Sequence, residues 1–220
     1  MKTLYFCAMI ENKDRALKVA ELLLKVKAVK LQPNEPFTWA SGWKSPIYCD
    51  NRVTLSHPSV RTYIRQAFCE MILEMFGKPD VIAGVATGGV PQGVLIAQEL
   101  GLPFIYIRSS AKAHGMGNLI EGAFEPGQKV IVIEDLISTG GSSLSAVSAL
   151  RAAGCEVKGL VAIFSYGFDV ANKSFKEAKC PFETLTNYEF LIAEALRHEY
   201  INEADLESLK KWREDPSNWK

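Results

Sequence analysis

Apolar residues return every three or four positions in some stretches of the chain and run unbroken in others. Residues 14–28 place Leu17, Ala20 and Leu23 or Leu24 at helical spacing, which predicts a helix. Ser56 and Pro58 announce a second helix, with a broad apolar face from Val60 through Ile64, Phe68 and Ile72 to Met75. Val81–Ala86, Phe104–Ile107, Val130–Ile133 and Val157–Phe164 are the short continuous runs of buried strands. Residues 91–100 form a helix stopped by Gly101, and a helix opening after the 130–140 segment ends near Gly154. Strand and helix thus alternate, which predicts an α/β fold with right-handed βαβ crossovers and a central parallel sheet flanked by helices. Ligands of such sheets sit at the carboxyl ends of the strands. Thr87-Gly88-Gly89, Arg108 and Glu134-Asp135 all fall there.

Three stretches depart from the alternation. Residues 31–52 hold Pro33, Pro36 and Pro46, the tryptophans Trp39 and Trp43, and β-like pieces at Phe37–Ala40 and Ile47–Cys49. They read as a small substructure outside the main sheet. Residues 108–127 are polar and without period, the mark of a long mobile loop. Ile201–Trp212 reads as a helix with Asn202 as its cap and Leu206, Leu209 and Trp212 along one stripe, docked on the surface of the domain.

The chemistry concentrates in residues 130–143, where an apolar strand runs into Glu134-Asp135, a loop of small residues and a helix start. Backbone N–H groups at a helix N-terminus bind phosphate. Two adjacent carboxylates would repel a bare phosphate, but they suit a ligand that also carries hydroxyls, as a phosphorylated sugar does. No Walker string is present, and Gly115-Met116-Gly117 has Ile120 where a dinucleotide fingerprint needs its third glycine.

Composition narrows the partners. Lys+Arg and Asp+Glu are equal at 25 each, so no basic excess points to nucleic acid, and an anionic ligand must be met by local cations. Five scattered cysteines without C-x-x-C imply reduced thiols in the cytoplasm, and the three histidines lack metal-ligand spacing. Leu4–Ile10 is a short apolar run that reads as part of the fold rather than a leader, and no stretch nears the roughly 18 apolar residues of a membrane span. The 220 residues suit one domain, 1–220, with no room for a second of ordinary size.

The string Ile133–Ser143, IEDLISTGGSS, resembles the phosphoribosyl pyrophosphate (PRPP) motif of the type I phosphoribosyltransferases. That resemblance implies the type I fold, with Glu134 and Asp135 holding the ribose hydroxyls. It implies that Leu136, Ile137, Ser138, Thr139, Gly140, Gly141 and Ser142 bind PRPP around its 5′-phosphate, with Ser143 beside them. Thr87-Gly88-Gly89 corresponds to the pyrophosphate loop. The segment Arg108-Ser109-Ser110-Ala111-Lys112-Ala113-His114-Gly115 resembles the flexible catalytic loop, about 108–122, of the orotate branch of that family. It implies catalytic roles for Lys112 and His114 alongside Asp135, and a homodimer in which the loop acts in the neighbouring subunit's site. As cations, Arg108, Lys112 and His114 suit the leaving pyrophosphate. Phe37–Arg52 resembles the hood over the base pocket, where Lys44 and Arg52 offer cations to the orotate carboxylate. Trp39 and Trp43 read either as base contacts or as a hydrophobic cluster.

The resemblance therefore implies an orotate phosphoribosyltransferase acting on the small molecules PRPP and orotate, with Mg²⁺ held mainly by PRPP and no nucleic acid or membrane partner. Another base, or a PRPP-sensing regulator, is the alternative reading; residues 1–30 are short for the DNA-binding module the latter requires. Several positions depart from the family pattern. Ser109 and Trp43 stand where many members carry basic residues, some members have Asp at position 134, and 159–175 contain no arginine for the base. Tyr166 is the candidate for that last role, and Ser138 the best candidate for direct base contact.

Overall fold

The computed structural model describes residues 2–39, 42–109 and 119–219, with side chains from residue 13 onward. The chain opens with α1 (Lys2–Lys25), then β1 (Val29–Leu31), β2 (Phe37–Thr38), β3 (Lys44–Ser45) and β4 (Ile47–Cys49). A 3-10 helix at Asn51–Ser56 leads to α2 (Pro58–Phe76), β5 (Val81–Val85), α3 (Gly89–Leu100), β6 (Phe104–Ile107) and β7 (Ile120–Glu121). There follow β8 (Lys129–Ile137), α4 (Gly141–Ala152), β9 (Glu156–Ser165), α5 (Asp169–Glu177), β10 (Phe182–Asn187), α6 (Tyr188–Arg197) and α7 (Glu203–Glu214). These elements form two units, residues 59–185 and residues 1–58 with 186–220.

The first unit is built on a six-stranded sheet of order β10-β9-β8-β5-β6-β7. Strands β9, β8, β5 and β6 are parallel, as the alternation predicts. Strand β7 is antiparallel to β6, pairing Tyr106 with Glu121 and Ile107 with Ile120. The stretch expected to be loop to residue 122 therefore closes earlier, as the returning arm of a hairpin. Side chains alternate across β8. Val130 and Val132 pack with Ala146, Val147 and Leu150 of α4, while Ile131 and Ile133 point to the other face.

The order of strands fixes where a ligand binds. From the middle of the sheet, β5–α3–β6 steps one way and β8–α4–β9 the other. Right-handed crossovers then put α3 and α4 on opposite faces, and a crevice opens between the carboxyl ends of β5 and β8.

In the second unit α1 packs on α6, and β1 pairs antiparallel with β4. Helix α1 begins at Lys2, earlier than the periodicity of 14–28 indicates. Strands β2 and β3 form a minimal hairpin, Phe37 opposite Ser45 and Thr38 opposite Lys44. Helix α7 is held at its start by the Asn202 N–H, which donates to Asp205 Oδ2 at 3.0 Å. Two residues of its apolar stripe, Leu209 and Trp212, are buried, Trp212 wholly so. Its ring meets Trp39 edge-on at 5.7 Å and Tyr188 at 5.6 Å. Among the described residues no helix is long and apolar enough to cross a membrane.

Candidate active site

Strand β8 carries the acids further than the sequence pattern suggests. It continues through Ile137, so Leu136 and Ile137 are strand residues and only Ser138–Gly140 form the connection. The Ile137 side chain is buried, which leaves its main chain for any ligand. Gly140 closes the turn at φ 83°, a left-handed conformation that glycine adopts without strain, with the Phe175 ring packed behind it. Helix α4 starts at once. Gly141 and Ser142 are exposed on its first turn, whose N–H groups lack carbonyl partners within the helix.

The two side chains leave β8 on opposite faces, as neighbours on a strand do, and their carboxyls still come within reach of one another. Glu134 lies on the α4 face and is 5% exposed. It accepts the Ser143 hydroxyl at 3.2 Å and the Asp135 N–H at 3.0 Å. Burial, reinforced by the neighbouring Asp135 carboxyl, holds the Glu134 carboxyl well above the usual carboxylate range. Asp135 is half-buried on the other face, against the loop that follows β5. A side chain at Gly88 would overlap the Asp135 carboxyl, and one at Gly89 would overlap the Ile133 carbonyl. The two glycines thus let the β5–α3 loop, which opens with a cis Ala86–Thr87 peptide, lie directly on the end of β8.

Arg108 leaves the end of β6. Its N–H donates to the Leu119 carbonyl at 2.9 Å, and its guanidinium is 3.5 Å from Glu121 across the base of the loop. A cavity of about 140 Å³ lies between Arg108, Ser109 and Leu119 on one side and Ser142 and Ser145 of α4 on the other. The fold therefore brings Arg108 and the first turn of α4 to one space. Lys112 and His114 lie outside the described residues. The sequence does not show Glu121 as the partner of Arg108, because a lone acid in a polar stretch carries no signal of what it faces.

In the other unit, Lys44 is exposed and donates to Thr38 Oγ1 at 2.8 Å. Arg52 pairs with Asp50 at 2.7 Å, and that guanidinium holds the Asp50 carboxyl below its ordinary range. Trp39 takes the cluster reading: it packs on Trp212 and donates its indole N–H to the Ile47 carbonyl at 3.2 Å. Trp43 is half-buried and accepts the Trp39 N–H at its carbonyl. Tyr166 is a correction. Its ring is 2% exposed, stacked on Phe168 and edge-on to Phe164, so it has no face left for a base.

Residues 55–198 match the phosphoribosyl transferase domain. An orotate phosphoribosyltransferase of Phocaeicola vulgatus is 62% identical over 200 residues, 91% of this chain and 94% of that protein. Among solved structures, Leishmania donovani UMP synthase aligns with a TM-score of 0.74 at 27% identity over 90% of this chain. The chain spans 42% of that larger protein. Aeropyrum pernix orotate phosphoribosyltransferase aligns with a TM-score of 0.73 at 24% identity, over 84% of this chain and 99% of that one, a likeness of fold. By its matched domain and its identity to these relatives, the chain belongs to the orotate phosphoribosyltransferase family.

Proposed function

We propose that the protein joins orotate to PRPP, releasing orotidine 5′-monophosphate and diphosphate in pyrimidine synthesis. The observation that carries this reading is the convergence of Asp135, the first turn of α4 and Arg108 on one end of the sheet. The 5′-phosphate sits on the N–H groups of Ser138 to Ser142, at the positive end of α4. The ribose hydroxyls donate to Asp135. Glu134, behind it, acts on the ligand by way of Ser143 and the phosphate turn. N1 of orotate attacks C1′ as the bond from C1′ to the diphosphate oxygen breaks, through a centre with oxocarbenium character. Catalysis is then positioning and electrostatics. Arg108, Lys112 and His114 take up the negative charge of the leaving diphosphate. Ser138 contacts the base, and Lys44 supplies a cation to its carboxylate.

Among the described residues no three His, Cys, Asp or Glu side chains gather as a metal site. A Mg²⁺ ion would be held mainly by PRPP itself. Bound there, the ion supplies charge neutralisation to the leaving group. The working unit is a homodimer whose 108–122 loop closes on the neighbour's site. Its compartment is the cytoplasm, a reading supported by five scattered cysteines without C-x-x-C spacing.

The test is direct. The protein, PRPP and Mg²⁺ are mixed with orotate, and in parallel with adenine, hypoxanthine and uracil, while base absorbance is followed. Loss of orotate alone is expected. Turnover of another base in its place, or of none, overturns the reading.

A further inference from the structure

We propose that Trp212, on the C-terminal helix, is a positioning residue for Lys44. The hairpin that carries Lys44 has two residue pairs, too few to hold a backbone in one place. Its geometry must come from what it packs on. The Trp212 indole N–H donates to the Lys44 carbonyl at 3.2 Å from a ring that is wholly buried. The same ring braces Trp39 edge-on, one residue beyond β2, and Trp39 in turn donates to the Ile47 carbonyl. Both arms of the hairpin are thus tied to one side chain. Helix α7 is itself anchored: the Tyr188 hydroxyl of α6 donates to the Leu209 carbonyl at 3.0 Å. A buried donor aimed at one carbonyl fixes the main chain from which the Lys44 side chain departs, while that side chain stays exposed and able to reach a ligand.

This inference rests on the reading that Lys44 serves orotate, and the experiment separates the two. Steady-state KM for orotate and for PRPP, with kcat, are measured for the wild type, Lys44→Ala and Trp212→Phe. Phe keeps a ring in the cluster and removes the donor. Trp212→Phe should raise the orotate KM about three- to tenfold, the scale of one lost hydrogen bond, and leave the PRPP KM within about twofold. A merely structural role would lower the active fraction without moving the orotate KM. If Lys44→Ala raises the orotate KM and Trp212→Phe does not, the inference is overturned and the Lys44 reading stands. If Lys44→Ala leaves the orotate KM unchanged, the Lys44 reading falls and the inference with it. A second measurement needs no change at Trp212. Its indole N–H resonance in the ¹⁵N-labelled protein should shift when orotidine 5′-monophosphate is added, and an unmoved resonance overturns the proposal.

Discussion

Glu134 is a carboxyl held where charge is costly. Its proton leaves at higher pH than it would from an unfolded glutamate, because burial and Asp135 both disfavour the anion. Between those two values the folded chain binds more protons than the unfolded one. Stability therefore falls as pH rises through the window in which only the unfolded form is ionised. Glu134→Gln keeps the shape and an acceptor for Ser143 but cannot ionise. Thermal melts from pH 5 to pH 8 should show the wild type losing stability relative to Glu134→Gln. Parallel curves would sink this account of the buried acid.

At the scale of elements, the β5–α3 loop and the end of β8 form one surface because two glycines let them touch. Gly88→Ala should push the Asp135 carboxyl aside. Misplacing a ribose ligand by about an ångström costs on the order of 10² in kcat/KM for PRPP. The variant should keep a cooperative melt, and wild-type kcat/KM would show that the contact has no catalytic consequence. That contact is not written in the sequence, where Thr87-Gly88-Gly89 shows a loop between strand and helix but not which strand end it lies on. The parallel strands were legible because each is an unbroken apolar run, such as Val130–Ile133. Strand β7 was not, since Ile120–Glu121 is two residues in a polar stretch and is made a strand by its pairing with β6. Strand β10, Phe-Glu-Thr-Leu-Thr-Asn, alternates too weakly to stand out. The site's acids and phosphate turn were legible as a motif. Which way each acid points was not, because direction depends on the register of β8.

At the scale of the whole molecule, the homodimer reading makes a quantitative demand. Lys112→Ala and Asp135→Asn should each lower turnover, the former by roughly 10²–10³. If the loop serves the neighbouring subunit, co-refolding equal amounts of the two variants restores intact sites. Half the dimers are mixed and each holds one complete site, so activity should recover to about a quarter of wild type. Without recovery, the loop acts on its own subunit.

The base of that loop fixes where it leaves and rejoins the sheet. Arg108 is fixed at the end of β6 and bonded across to Leu119, so both ends of the intervening segment are moored at one place. Lys112 is four residues from that mooring. A fully extended chain advances about 3.6 Å per residue, so four residues reach at most about 14 Å from the Arg108 Cα. In any dimer that uses this lysine across the interface, the neighbour's diphosphate must therefore lie within one lysine side chain of that radius.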